Sequence, residues 1–190
     1  MSAKNKAPAP LILPFGEHMP RIDASAFLAP DATIIGDVEI GAASGIWFKS
    51  VLRGDVRSIR VGEATNIQDG TIVHVTRQRA STEIGSHVTI GHRAIIHGCV
   101  IGDGAFIGMA ATIMDHAVVE AGAMVAAGTL VTPGKQVGTG ELWGGAPAKY
   151  MRDLSDEEKD YMADAARHYA ELGAAYRRQL GDGASVPSFV

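Results

Sequence analysis

The chain has 190 residues and a formal net charge of −4, which fits one domain with an appended helix. It shows no basic stripe that would indicate nucleic-acid binding, and no apolar run approaches the roughly 20 residues needed to span a bilayer. Because the single cysteine, Cys99, excludes an internal disulfide and no signal peptide is evident, we expect a cytoplasmic protein.

Residues 1–20 are predicted to form an N-terminal tail, after which aliphatic anchors recur at every sixth position. This spacing fits neither a helix nor a strand with strict alternation, but it fits short extended segments joined by tight turns. Small residues stand four positions after most anchors, and glycine often follows an anchor directly. Such a repeat predicts a solenoid whose coils bury their apolar faces against one another. The anchors are Ile22, Leu28, Ile34, Ile40, Ile46 and Leu52, then Val61, Ile67 and Val73, then Ile84, Ile90 and Ile96, and finally Ile101, Ile107, Ile113, Val119, Val125, Val131 and Val137.

The six-residue repeats over residues 21–143 resemble those of the hexapeptide-repeat family. This resemblance implies an all-β solenoid, specifically a left-handed parallel β-helix in which three hexapeptides form one triangular coil. The handedness is taken from the resemblance, because parallel crossovers are ordinarily right-handed. A generic β-sandwich would need alternation and spaced turn signals, which this segment lacks.

The C-terminal part of the chain changes character. Residues 144–154 are rich in turn formers and predict a hinge. Ser155 then begins a predicted helix over residues 155–180, with Glu158 completing a capping box. Residues 181–190 are predicted to form a tail. One helical stripe is expected to pack along the solenoid and comprises Tyr161, Ala165, Tyr169, Leu172, Tyr176 and Leu180.

Three histidines lie where the six-residue repeat breaks its spacing. When the anchors are grouped in threes, every third anchor falls on the same face of successive coils. The residues that directly follow three of these anchors, Arg53, His74 and His97, then form one outward-facing column, in which neighbouring coils are about 4.8 Å apart. His74 and His97 are then close enough to bind a common metal ion. His92 lies on another face, above Asp69, so we expect it to reach that ion from a neighbouring chain. Because a triangular prism most naturally assembles as a three-fold ring, the sequence predicts a homotrimer with metal sites shared between subunits.

The amino-acid sequence around these histidines resembles that of the γ-class carbonic anhydrases and their bacterial relatives. The resemblance is carried by His74 and by the segments RGD at 53–55, NIQDG at 66–70, GHRAIIHGC at 91–99 and GAPAK at 145–149. It implies that His74 and His97 of one subunit and His92 of the next bind Zn²⁺, with Fe²⁺ or Co²⁺ as alternatives.

The same resemblance implies roles for six further residues. Gln68 would orient the hydroxide that the metal provides, and Asn66 would support Gln68. Tyr169 corresponds to a tyrosine that the C-terminal helix of the family presents to the site. The ion-pair network at the subunit interface would comprise Arg53, Asp55 and Asp69.

Two positions depart from the family's most active catalysts. Those enzymes have a glutamate where this chain has Val56, and an acidic loop where this chain has the basic segment 75–82. Both changes remove carboxylates that carry protons away from the site, so proton release is expected to be slow.

The leading hypothesis is a metal-dependent lyase that catalyses the zinc-dependent, reversible hydration of carbon dioxide to bicarbonate. The alternatives are a metal-dependent acyl-thioester hydrolase, a CoA-dependent acyltransferase and a non-catalytic trimeric scaffold. The acyltransferase hypothesis leaves the set of three histidines unexplained, because such enzymes typically use one histidine as general base.

Overall fold

The computed structural model describes residues 9–180, which form a left-handed parallel β-helix of about seven turns with one C-terminal helix. The predicted fold class is therefore confirmed. Each coil contributes a short strand to each of three faces of a triangular prism, named here faces A, B and C, and neighbouring coils pair in parallel.

Three sets of strands make up these faces. Face A contains β1 (Leu11–Leu13), the first halves of β4 (Thr33–Ile40) and β6 (Val51–Val61), β8 (Ile72–His74), β11 (Ile95–His97), β14 (Thr112–Ile113) and β17 (Leu130–Val131). Face B contains β2 (Arg21–Ile22), the second halves of β4 and β6, β9 (Thr82–Ile84), β12 (Val100–Ile101), β15 (Val118–Val119) and β18 (Gln136–Val137). Face C contains β3 (Phe27–Leu28), β5 (Gly45–Ile46), β7 (Asn66–Ile67), β10 (Thr89–Ile90), β13 (Phe106–Ile107), β16 (Met124–Val125), β19 (Glu141–Gly144) and the antiparallel β20 (Lys149–Asp153).

The core of the prism is a stack of the aliphatic anchors. Leu52, Ile67 and Ile96 are fully buried, because each points inward from its strand. The glycines that follow the anchors lie against the backbone of the next coil. At Gly108, for example, an added Cβ atom would lie 2.4 Å from the backbone nitrogen of Ala127. The close stacking of coils therefore requires a residue without a side chain there.

All three irregularities in the repeat fall at the same corner of the prism, between faces A and B. The first lies within the continuous strand β6, where the pairing with β4 shifts register. The second is a loop between β8 and β9, in which Thr76 and Ala80 form an isolated antiparallel bridge. The third shortens the connection between β11 and β12. The paired strands on both sides of the loop and of the shortened connection stay in register.

The predicted N-terminal tail and the predicted hinge both contain strands. Residues 1–8 of the N-terminal tail and the whole predicted C-terminal tail, residues 181–190, lie outside the described part of the chain. Within the predicted N-terminal tail, β1 pairs in parallel with β4 and extends face A. Within the predicted hinge, β20 pairs with β19 as a hairpin, although the turn-rich composition gives no strand pattern there.

The helix α1 (Asp156–Leu180) lies along face C. Its capping box is present, because the Glu158 amide donates to Ser155 Oγ (3.2 Å) and the Ser155 amide donates to Glu158 Oε2 (2.9 Å). No helix within residues 9–180 is long and apolar enough to cross a membrane.

The packed stripe of α1 agrees with the predicted one in its C-terminal part, where Tyr169, Leu172, Tyr176 and Leu180 pack against the core, and differs in its first turns. Its buried residues are Met162, Ala166 and Gly173, whereas Tyr161 is 60% exposed. Gly173 lies close to Phe27, since a Cβ atom at Gly173 would lie 3.1 Å from the Phe27 Cβ atom. Tyr169 and Tyr176 keep their predicted contact with the solenoid and pack edge-on against Trp47.

Candidate metal centre

His74 and His97 lie on adjacent rungs of face A. Their strands pair in parallel with these two residues directly opposite each other. The Nδ1 atom of His74 lies 3.2 Å from the Nε2 atom of His97, and the ring centroids are 5.1 Å apart. The predicted stacking of this pair is therefore present in the fold.

Each of these imidazoles has a carboxylate at its other nitrogen. Asp55 Oδ1 lies 3.0 Å from His74 Nε2, and Asp115 Oδ1 lies 2.6 Å from His97 Nδ1. Burial alone would raise the pKa of Asp55, but hydrogen bonds from Arg53 and His74 outweigh it and hold the pKa below its usual value.

The pKa of Asp115 is lowered in the same way. Burial opposes the shift, and hydrogen bonds from Thr76 and His97 outweigh burial. Ionised carboxylates only accept hydrogen bonds, so His74 Nε2 and His97 Nδ1 must be the donors. In the neutral rings, the two nitrogens that face each other are therefore both lone-pair acceptors.

A cation between these two lone pairs would remove the repulsion between them. Two nitrogen ligands at about 2.0–2.1 Å from a tetrahedral zinc ion lie roughly 3.3 Å apart, close to the 3.2 Å observed between His74 and His97. Burial, followed by the nearby charges of Arg53 and His97, lowers the pKa of His74 although its hydrogen bond to Asp55 opposes the shift. The donor set thus fits two corners of a metal site.

The third predicted ligand, His92, lies at the corner between faces C and A. Its Nδ1 atom is 2.8 Å from Asp69 Oδ2, so the Nε2 atom remains available to another partner. The side chain is 40% exposed. Within residues 9–180 of a single chain, no group of three His, Cys, Asp or Glu residues is arranged to hold a metal ion.

His92 instead lines a cleft with Gln68 and Tyr169. This cleft lies between face C and α1, has a volume of about 520 Å³ and is mainly apolar farther from His92. Burial, followed by the negative charge of Asp69, raises the pKa of Tyr169. A single chain therefore contains two separate halves of the predicted site.

Gln68 is held by a chain of hydrogen bonds beneath the cleft. Asn66 Nδ2 donates to Thr89 Oγ1 (2.9 Å) and to the carbonyl oxygen of Val88 (3.3 Å). Because that carbonyl only accepts, the amide of Asn66 has a fixed orientation, and Gln68 Nε2 donates to Asn66 Oδ1 (3.0 Å). Gln68 Oε1 thus remains an acceptor beside the cleft.

The predicted interface residues have specific contacts within the chain. Arg53 pairs with Asp55, and Asp55 also contacts His74. Asp69 contacts His92. Each of these two aspartates therefore accompanies one predicted metal ligand, in addition to any contact it makes across an interface.

The sequence analysis did not identify Asp115. The signal that could have found it is the register, since Asp115 follows His97 by 18 residues, which is one regular coil. Val56 and the loop after His74 lie at the A–B corner, and Val56 is 39% exposed.

Comparisons with known proteins support the resemblance to carbonic anhydrases. The family model "Bacterial transferase hexapeptide (six repeats)" matches residues 98–133. The mitochondrial gamma carbonic anhydrase 2 of Arabidopsis thaliana is 52% identical over 82% of this chain, which spans 58% of that relative's length. A carbonic anhydrase of Geobacillus kaustophilus is 40% identical over 88% of this chain and 91% of its own length.

A solved structure agrees with these matches. The hexapeptide transferase family protein from Anaplasma phagocytophilum superposes with a TM-score of 0.85 at 49% identity, covering 87% of this chain and 98% of its own. The chain therefore belongs to the hexapeptide-repeat family of γ-carbonic-anhydrase-like proteins.

Proposed function

We propose that the chain is a metal-dependent enzyme that catalyses the reversible hydration of carbon dioxide to bicarbonate. The observation that carries this proposal is the pair of lone-pair nitrogens 3.2 Å apart on His74 and His97, each oriented by a carboxylate. Zn²⁺ suits three imidazole ligands, and Fe²⁺ and Co²⁺ are alternatives that the same nitrogens would bind.

The enzyme is proposed to be a homotrimer that completes its metal site between subunits. His92 lies on a different part of the prism from the His74–His97 pair, so a neighbouring subunit must bring the third imidazole. Exposed Ile72 and Ile95 flank the pair on face A, where such a neighbour would cover them. A closed three-fold ring gives each subunit one shared site at each of its two interfaces.

The chain's own residues would bind and orient the reactants. When bound, a divalent ion would lower the pKa of a coordinated water towards neutrality and polarise a substrate oxygen. Asp55 and Asp115 hold the imidazoles in one tautomer. Gln68 Oε1 offers a fixed acceptor for a substrate or water hydroxyl beside His92. The apolar walls of the cleft would admit an uncharged gas.

The decisive experiment is metal analysis of complementary variants. His92→Ala and His74→Ala should each lose metal while keeping the fold, because both side chains lie outside the core. A mixture refolded together should recover metal, since one interface then combines an intact His92 with an intact His74–His97 pair. His168→Ala, on the exposed side of α1, is the control and should keep full metal content. Full metal occupancy in His92→Ala, or a monomer that binds metal tightly, would contradict the shared site.

A second candidate, hydrolysis of acyl thioesters, is favoured by one observation. The cleft of about 520 Å³ is larger than a three-atom substrate needs, and Phe106, Met109 and Met124 line it. Fully metallated protein should be assayed with carbon dioxide and with short acyl thioesters. Thioester cleavage without carbon dioxide hydration would replace the first proposal with the second.

The cytoplasmic location stays a prediction.

A further inference from the structure

Asp115 links a candidate metal ligand to the loop inserted after β8. One carboxylate oxygen, Oδ1, contacts His97 Nδ1 at 2.6 Å, and the other, Oδ2, accepts a hydrogen bond from Thr76 Oγ1 at 2.5 Å. Thr76 is the first residue of the antiparallel bridge that closes the loop with Ala80. A side chain of the regular repeat is thus fixed by a residue of the insertion.

The other end of the loop is tied to the same pair of histidines. Thr82 Oγ1 donates to the carbonyl oxygen of His74 (2.6 Å) and accepts from the amide of Gly98 (2.9 Å), which directly follows His97. Thr82 is fully buried. Both ends of the loop therefore support the histidine pair. Thr76 does so through the side chain of Asp115, and Thr82 does so through the backbone of His74 and Gly98.

The space around Asp115 leaves its carboxylate little freedom. An added Cβ atom at Gly98 would lie 2.7 Å from Asp115 Oδ1 and 2.8 Å from the Cβ atom of Ala80. Gly98 and Ala80 thus pack closely beside the carboxylate. The hydrogen bond from Thr76 fixes its second oxygen, so both oxygens are held in place.

We propose that Asp115 is a positioning residue that holds the His97 imidazole with Nε2 directed at Nδ1 of His74, and that Thr76 holds Asp115 in turn. This inference rests on the proposed function, in which His97 is a metal ligand. A histidine ligand usually needs such an outer partner, whose removal typically weakens metal binding by about 10–100-fold. The inserted loop thereby supports the metal site and is more than a spacer between two coils.

The test measures Co²⁺ and Zn²⁺ affinity and the visible spectrum of bound Co²⁺ in purified variants. Asp115→Ala should weaken binding by about 10–100-fold and alter the cobalt bands, which report ligand geometry. Thr76→Val should have the same effect to a smaller extent, and Thr76→Ser, which keeps the hydroxyl, should restore wild-type behaviour. Asp103→Ala is the matched control. Asp103 also lies beside a glycine of the preceding coil, but it accepts from the Ser86 amide and not from a histidine.

Three outcomes separate this inference from the proposed function. Wild-type affinity and cobalt bands in Asp115→Ala, with binding abolished in His97→Ala, would overturn the positioning role alone. Equal losses in Asp115→Ala and Asp103→Ala would also overturn it, since the effect would then be general to the solenoid turns. Absence of metal binding in the wild-type protein would overturn both the proposed function and the positioning role.

Discussion

The corner between faces A and B differs from the other two corners of the prism in how the chain turns. At the regular corners, six residues separate successive anchors, and glycine allows one coil to lie directly on the backbone of the next. At the A–B corner, three consecutive coils use nine, eleven and five residues, between Leu52 and Val61, Val73 and Ile84, and Ile96 and Ile101. Polar side chains meet there, including Asp55, His74, Thr76, His97 and Asp115.

The buried core stabilises the fold, whereas the polar residues of the proposed metal site lie at the A–B corner. The anchors on both sides of each irregularity remain buried, so the core continues unchanged beneath the corner. A solenoid tolerates such insertions because each coil contacts only its neighbours. We therefore expect substitutions in the core and at the A–B corner to change different measurable properties.

The largest stability effect should come from the regular part of the core. Ile107 is fully buried, and Ile107→Ala should lower the free energy of unfolding by about 2–5 kcal/mol through lost apolar contact and a residual cavity. Val100→Ala is the control, because Val100 on face B is 41% exposed and should change stability by no more than about 0.5 kcal/mol. Denaturant unfolding measures both.

Metal affinity of the folded protein should be unchanged in Ile107→Ala. A loss of metal affinity as large as that of a histidine variant would contradict the proposed separation of core and corner.

The next effect concerns proton transfer at the A–B corner. A positioned base contributes about 10²–10⁴-fold to such a step, and neither Val56 nor the arginine-containing loop after His74 supplies a carboxylate. Turnover of carbon dioxide should therefore be low and should rise with the concentration of an external buffer base. Val56→Glu should raise turnover at low buffer by up to about 10²-fold, whereas the matched Val56→Gln should not.

Stopped-flow hydration assays at several buffer concentrations test this prediction. Fast, buffer-independent turnover in the wild-type protein would contradict it and would indicate that another group, such as Tyr169, carries the proton.

The regular part of the molecule is the part that the sequence predicts best. Period and register together stack His74 on His97 and place His92 above Asp69, because each coil repeats the last. The helix start is local and equally readable from Ser155 and Glu158.

The features that sequence analysis missed depend on contacts between distant segments. The partnership of Asp115 with Thr76 spans 39 residues and arises from the conformation of an inserted loop. The close contact of Gly173 in α1 with Phe27 on face C also joins two distant segments of the chain. The strand β1 precedes the first predicted anchor and is recognised by its pairing with β4.

A smaller effect should distinguish two glycines with similar backbone conformations. Gly98 and Gly104 have φ angles of 57° and 66°, so alanine at either position should cost roughly 1–2 kcal/mol in backbone strain. No atom lies within 4 Å of an added Cβ at Gly104, whereas at Gly98 the new atom would meet Asp115 and Ala80. Gly98→Ala should therefore destabilise more than Gly104→Ala and should also weaken metal binding. Equal stability losses with unchanged metal affinity in both variants would show that the A–B corner accommodates a methyl group as easily as a regular turn.

The smallest effect should lie at the start of α1, which is set by local sequence and not by the repeat. Ser155→Ala removes the acceptor of the Glu158 amide and should cost about 1 kcal/mol.

Hydrogen bonds from Arg152 and then from the Ser155 amide lower the pKa of Glu158 from 4.5 to about 2. A carboxylate with a lowered pKa stabilises the folded state fully above its unfolded-state pKa, and this contribution disappears as the pH falls through the folded-state value. The stability difference between the wild-type protein and Glu158→Gln should thus be constant above about pH 5 and shrink between about pH 4 and pH 2 in denaturant titrations. A difference that grows on acidification would contradict the role of the ionised carboxylate in the cap.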